Sequence, residues 1–184
     1  LTEINFYYVK TIGEQAFYGC SSLTELDYLP NLASIHDSAF ENCTSLKQIN
    51  CPKELTRIGK CAFRNCIKLS TVDFGESIKI IKESTFEGCK SLTEFKCYSN
   101  INTIEKYAFK NCSSIIEIHI IECKIIGEQA FFGCSELKKF YLPDTLISIE
   151  NMAFMNCKSL FIKDIPNSIK SIGEKVFEGC LITN

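Results

Sequence analysis

A phenylalanine recurs along this chain every 23 residues, at Phe17, Phe40, Phe63, Phe86, Phe109, Phe131, Phe154 and Phe177, with a single interval of 22. A fixed period of this length means stacked supersecondary units, because one such unit is too small to enclose a core and must bury its apolar side against its neighbours. Each phenylalanine has a fixed setting. An isoleucine stands five residues before it (Ile12, Ile35, Ile58, Ile81, Ile104, Ile126, Ile149, Ile172) and a cysteine three after it (Cys20, Cys43, Cys66, Cys89, Cys112, Cys134, Cys157, Cys180). Alanine directly precedes it in six of the eight units. Three residues past the cysteine comes Leu23, Leu46, Leu69, Leu92, Ile115, Leu137 or Leu160, followed by apolar residues at +3 and +5, as in Val72/Phe74 and Phe140/Leu142. The unit is already visible in Leu1, Ile4 and Phe6. Residues 1–184 therefore read as one domain of about eight repeats, and because the pattern opens partway through a unit, the chain is expected to be a fragment of a longer array.

The +3, +5 spacing has period two, so each unit should contain a short strand with alternate side chains pointing inward, and stacked units should make one parallel sheet. The Ile-x4-Phe-x2-Cys segment is too short for a full helix and reads as an extended piece followed by one or two helical or 3-10 turns. Pro52, Pro143 and Pro166 close their strands, and Pro30 does so one place later, since proline cannot donate to a ladder. The residue before the repeat cysteine is Gly19, Asn42, Asn65, Gly88, Asn111, Gly133, Asn156 or Gly179. Glycine and asparagine adopt positive φ most readily, which predicts a left-handed residue that ends each turn.

The segments IGEQAFYGCSSLTELDYLP and IGEQAFFGCSELKKFYLPD resemble the BspA-like subclass of leucine-rich repeats, and the likeness extends over virtually the whole chain. That resemblance implies an α/β solenoid, curved and right-handed, with a parallel concave β-sheet and short helical or 3-10 turns on the convex side. Departures are few. Lys163 falls on an inward strand position with Phe161 and Ile162 beside it, so the last strand is expected to bulge or shift register. Thr183 replaces the expected leucine.

The chain is 46% apolar, with 20 basic against 22 acidic groups and a formal charge of −2, which leaves no basic footprint for nucleic acid. Its longest apolar stretch, residues 115–126, is broken by Glu117, His119, Glu122 and Lys124, far short of the ~20 residues that span a bilayer. No membrane insertion is expected in this segment. Eight of the twelve cysteines are one position of the repeat, so they are expected to be free thiols in a buried sulfur ladder. Cys51 and Cys97 take an inward strand position and count as core, whereas Cys61 and Cys123 sit at variable positions and are expected to be the exposed ones. Cys61 and Cys66 come nearest to a zinc spacing, and the second already belongs to the core, so no metal site is expected. His36 and His119 recur in no other unit and read as solvated side chains. Without a phosphate loop, nucleophile elbow or His-Glu-x-x-His motif, the chain presents no catalytic residues, needs no cofactor and does not read as an enzyme. Asn42 and Asn111 match glycosylation sequons but occupy the left-handed position beside a core cysteine, and read as repeat chemistry.

Outward strand positions form two columns: Glu3, Glu25, Gln48, Thr71, Glu94, Glu117, Lys139, Ile162, and Asn5, Asp27, Asn50, Asp73, Lys96, His119, Tyr141, Asp164. They hold seven acids and two lysines, so the chain's excess acid is concentrated there. Tyr7, Leu29, Tyr98, Ile121 and Tyr141 are expected to add exposed apolar groups of the kind enriched at interfaces. The candidate partner-binding residues are Glu25, Asp27, Asp73, Glu94, Lys96, Tyr98, Glu117, His119 and Tyr141, on a monomer whose protein partner carries a basic patch. The family resemblance implies a cell-surface or secreted antigen or adhesin that binds a host or extracellular protein. The alternative, favoured by reduced cysteines, is a cytoplasmic scaffold that docks a cytosolic protein.

Overall fold

The computed structural model describes residues 6–26, 29–97, 101–162 and 164–181. In chain order its strands are β1 (Thr11–Ile12), β2 (Ser34–Ile35), β3 (Gln48–Asn50), β4 (Arg57–Ile58), β5 (Thr71–Phe74), β6 (Ile80–Ile81), β7 (Glu94–Cys97), β8 (Thr103–Ile104), β9 (Glu117–Ile118), β10 (Ile125–Ile126), β11 (Lys139–Phe140), β12 (Ser148–Ile149) and β13 (Ser171–Ile172). Strands of one column come from the leucine segment and pair in the order β11-β9-β7-β5-β3. The other column is built on the repeat isoleucines and is divided into β1-β2-β4 and β13-β12-β10-β8-β6. All pairs are parallel and join equivalent residues of successive units, as in Val72 with Phe95 and Ile126 with Ile149. The chain is a parallel-strand β-solenoid of about seven turns.

Two expectations need correction here. The units make two strand columns rather than one sheet, because the isoleucine segment pairs with its neighbours as well. The solenoid is also not α/β: among the described residues the one helical element is a 3-10 turn, Phe6–Tyr8. The segments expected to be helical or 3-10 turns are hydrogen-bonded turns whose backbone cannot continue into a helix. In each unit a left-handed residue precedes the phenylalanine by two: Gln15, Ser38, Cys61, Ser84, Tyr107, Gln129, Met152 and Lys175 have φ between 51° and 61°. A second follows four residues later, at the glycine or asparagine before the cysteine, with φ from 57° to 79°. The second site was legible in the sequence and the first was not, since it is filled by six different residue types over the array that show no preference for positive φ.

Why unspecialised side chains accept this strain is visible in the hydrogen bonds. Left-handed residues turn their N–H groups away from their own unit and towards the next. The Gln15, Phe17 and Gly19 N–H groups donate to the carbonyls of Asp37, Ala39 and Glu41 at 3.1, 2.8 and 2.8 Å, and the triplet recurs at Ser38, Phe40 and Asn42. Within the unit, Tyr18 and Cys20 donate to Gln15 and Phe17. Each turn thus satisfies its buried backbone by lending three donors to its neighbour, which an α-helix could not do.

The phenylalanines form a continuous column, with successive ring centroids 5.1 to 5.6 Å apart and interplanar angles from 2° to 17°. The alanines before them, from Ala39 to Ala153, are fully buried. Thr85 replaces one alanine, and its buried hydroxyl donates to the Lys82 carbonyl at 2.8 Å. All twelve cysteines are free thiols. Those of the repeat do more than fill space: the Cys43, Cys66, Cys89, Cys112, Cys134, Cys157 and Cys180 thiols each donate to the phenylalanine carbonyl of the preceding unit at 3.0 to 3.1 Å.

The alternation of glycine and asparagine before the cysteine has a steric cause. Asn65 Nδ2 donates to Asn42 Oδ1 at 3.0 Å, so two successive asparagines fit through a hydrogen bond. Where glycine follows asparagine, a Cβ would collide with the asparagine oxygen of the preceding unit: 2.5 Å from Asn65 Oδ1 at Gly88, 2.7 Å from Asn111 Oδ1 at Gly133 and 2.8 Å from Asn156 Oδ1 at Gly179. Gly88→Ala is expected to destabilise the fold by about 2 kcal/mol through that clash and its positive φ. Asn65→Gly in the same chain should return about half of the loss, and denaturant melts showing strictly additive effects would refute the coupling.

Charge also follows the stacking. Glu83 lies between Lys60 and Lys106 of the flanking units, at 3.1 Å from each ammonium. Partial burial pulls its carboxyl pKa up, but the two lysine hydrogen bonds outweigh this and hold it below the ordinary carboxylate value. A folded pKa below the unfolded one gives stability that is present above about pH 4.3 and lost as the pH falls through the folded value. Glu83→Gln should therefore lower Tm at pH 7, and the gap to the parent chain should close on acidification. A gap independent of pH would exclude this role.

Candidate functional site

The strand register carries the outward columns onto one face. Thr71 lies beside Glu94, Asp73 beside Lys96, Glu94 beside Glu117 and Glu117 beside Lys139. Glu25, Asp73, Glu94, Lys96, His119 and Tyr141 are exposed and Glu117 is half-buried, whereas Asp27 and Tyr98 lie outside the described residues. Period two forces this segregation: Ile49, Val72, Phe95, Ile118 and Phe140 alternate with these residues and point into the core.

The face is striped in charge. Lys96 Nζ contacts Glu94 at 3.0 Å, and His119 Nε2 approaches Glu117 at 3.1 Å along the same strand direction. Glu94 and Glu117 meet across the ladder as like charges, and the Lys96 ammonium offsets the repulsion at Glu94. Among the described residues, no group of three or more His, Cys, Asp or Glu side chains is placed to hold a metal ion.

Some apolar expectations change. Leu29 is buried, at 3% exposure, because the chain turns there, with the Leu32 N–H donating to the Leu29 carbonyl at 3.2 Å, and strand alternation no longer applies. Tyr7 is 57% exposed but belongs to the 3-10 turn rather than to a strand of the face. Ile121 and Tyr141 are exposed as expected, at 80% and 66%. Cys123, expected at the surface, is fully buried, with its thiol donating to the Ile125 carbonyl at 3.3 Å. Cys51, Cys61 and Cys97 are half-buried.

Clefts lie towards both ends of the face. One of about 420 Å³ is bordered by Cys51, Lys53, Asp73, Gly75 and Glu76. Burial, and then the charge of Asp73, push the Cys51 thiol pKa up to about 12. The second, of about 400 Å³, joins Tyr141 to Phe140, Leu142, Phe161 and Ile162, with Lys138, Lys139 and Asp164 at its mouth. Sequence reasoning selected Tyr141 alone from this group. The departure at Lys163 was the signal for the rest, since the pattern breaks where Phe161 and Ile162 line the cleft; Lys163 itself lies outside the described residues.

Repeated short strands, stacked apolar columns and one long polar face define a leucine-rich-repeat solenoid. More particularly, the BspA type leucine rich repeat region matches in six copies over residues 10–138 and 115–184, and the chain belongs to that family. Solved structures agree. A leucine rich cell surface protein of Faecalibacterium prausnitzii is 26% identical with a TM-score of 0.69, over 85% of this chain and 43% of its own. A leucine-rich repeat protein of T. pallidum is 26% identical with a TM-score of 0.62, over 97% and 73% of the two chains. One from Eubacterium ventriosum is 28% identical with a TM-score of 0.60, over 96% and 42%. The chain thus spans less than half of the Faecalibacterium and Eubacterium proteins. Comparison with curated proteins finds no match.

The thiols differ in reactivity for a physical reason. Burial raises the pKa of Cys43 to about 11 and pushes Cys66, Cys89 and Cys112 up as well, so these groups remain protonated near neutrality. Cys20 is exposed. Iodoacetamide at pH 8 should alkylate Cys20 in the native chain and reach the other four only after unfolding. Peptide mapping that finds all five labelled at one rate would contradict the buried ladder.

Proposed function

We propose that this chain is a non-enzymatic protein-recognition module, acting as a surface antigen or adhesin that binds a host or extracellular protein through the face of β3, β5, β7, β9 and β11. The observation that carries the reading is the register of that face. It sets Glu94 beside Glu117 in one outward column and Asp73 in the neighbouring column beside Lys96, all exposed or half-buried on the same face. A partner with a basic patch finds several acidic groups at strand spacing, and Tyr141 offers it an aromatic anchor. Asp27 and Tyr98 belong to the proposed surface by sequence position. The cell-surface description of the Faecalibacterium protein supports the extracellular setting.

A second reading, an intracellular scaffold for a cytosolic protein, draws on one observation: twelve free thiols and no disulfide suit a reducing compartment. Affinity capture with the chain and its Asp73→Lys/Glu94→Lys variant, against host-cell and source-cell extracts, separates the two. The variant should melt within a few degrees of the parent and lose at least tenfold in capture of an extracellular partner, with the parent's binding weakened by salt. Cytosolic partners alone would favour the scaffold, and undiminished capture by the folded variant would remove the acidic face from the reading.

A further inference from the structure

The strand column built on the repeat isoleucines is broken once, between β4 and β6. At the other steps each unit donates two N–H groups to the unit before it. Thr56 and Gly59 donate in this way to the Ala33 and Ile35 carbonyls at 3.0 and 2.9 Å, and Asn102 and Glu105 to those of Lys79 and Ile81 at 2.8 Å each. The equivalent N–H groups at the break belong to Lys79 and Lys82, and among the described residues neither has an acceptor. The side chain that reaches across this step is Thr85, in place of alanine, with its hydroxyl 3.3 Å from the Gly59 carbonyl and 2.8 Å from that of Lys82.

The break lies in a basic surface. Arg57 belongs to β4, and Lys79 and Lys82 flank β6, so three cations stand beside two unpaired backbone donors. Lys10, Lys124 and Lys170, all exposed, continue the charge along the same column. None of the six forms an ion pair with a carboxylate among the described residues. The acids that directly follow strands of this column, Glu105 and Glu150, are turned to the backbone, where they accept the Glu83 and Glu128 N–H groups at 2.9 and 3.0 Å. Charge is therefore segregated between the two columns, with acid on the leucine strands and base on the isoleucine strands.

Unpaired N–H groups beside cations suit an oxyanion, which accepts several charge-assisted hydrogen bonds at once. Lys79, Lys124 and Lys170 follow one another at every second unit, ~9.6 Å apart at strand spacing, so a ligand that meets all three is long and carries its anions at intervals. The outward strand positions hold the hydroxyls of Thr103, Ser148 and Ser171 and no phenylalanine or tyrosine on which a nucleic-acid base could stack. Ile80 and Ile125, 42% and 38% exposed, offer apolar surface to the C–H groups of sugar rings. We infer that the isoleucine face binds a sulfated polysaccharide laid across its strands. One sulfate sits at the break, on the Lys79 and Lys82 N–H groups and the Arg57 guanidinium, and later ones meet Lys124 and Lys170. This site is separate from the acidic face, so the chain can hold a protein on one side and a glycan on the other.

A heparin octasaccharide titrated into the ¹⁵N-labelled chain should give saturable shifts centred on the amides of Lys79, Ile80 and Lys82, with smaller ones at Lys124, and added NaCl should weaken it. The fully desulfated octasaccharide should leave these amides unmoved. Arg57→Ala/Lys82→Ala, melting within a few degrees of the parent, should bind about tenfold more weakly. Lys68→Ala/Lys90→Ala removes the same charge from exposed positions off this face and should change affinity by less than about twofold. Absence of saturable shifts up to about 1 mM octasaccharide, shifts that spare the break, or equal losses in the two double variants would overturn the proposal. So would tighter binding of oligothymidylate or of phosphatidylserine vesicles at the same amides, which would make a nucleic acid or a lipid surface the occupant.

Discussion

Every unit of this solenoid depends on the next one for the hydrogen-bond partners of its own turn. A 23-residue loop has too little interior to satisfy its backbone, and the left-handed residues at Gln15, Ser38 and their equivalents rotate donors out of the loop and into the neighbouring one. The stacked phenylalanines, the buried alanines and the thiol-to-carbonyl bonds all follow from that arrangement. Rings can stack at 5.1 to 5.6 Å only because the turns that carry them are bonded at that separation. The strand columns hold two sides of each loop, and the turn triplets hold the third.

The periodic part of this was legible in the sequence. Phenylalanine, isoleucine, cysteine and leucine positions place the core, and the restriction to glycine or asparagine before the cysteine places one left-handed residue per unit. What could not be read was conformation without a compositional mark. Gln129 and Met152 are left-handed because neighbouring carbonyls hold their N–H groups, and a tertiary demand of that kind leaves no trace in residue type. The same blindness turned the Phe-x2-Cys turns into helical ones and missed the second strand column, whose strands are two residues long. For the candidate site, strand parity located Asp73, Glu94, Lys96 and Glu117, but Leu29 shows that parity fails once a proline or turn ends the strand.

The face and its edge are unlike in chemistry. Between β5 and β9 the exposed groups are polar and charged, with Glu94 beside Lys96 and Glu117 beside His119. At β11 the surface turns aromatic, with Tyr141 and Phe161 both exposed.

The fit of asparagine against glycine has a bearing on how such arrays change length. Each unit presents its successor with one of two edges: an asparagine oxygen, which demands glycine or a bonded asparagine, or a bare glycine, which accepts asparagine. Duplication or loss of whole units by recombination keeps the phenylalanine and cysteine columns intact whatever the cut, so the junction that must be matched is this one atom-sized step. In this chain every such junction from Gly19 to Gly179 is matched, by a bonded asparagine at Asn65 and by glycine after each other asparagine.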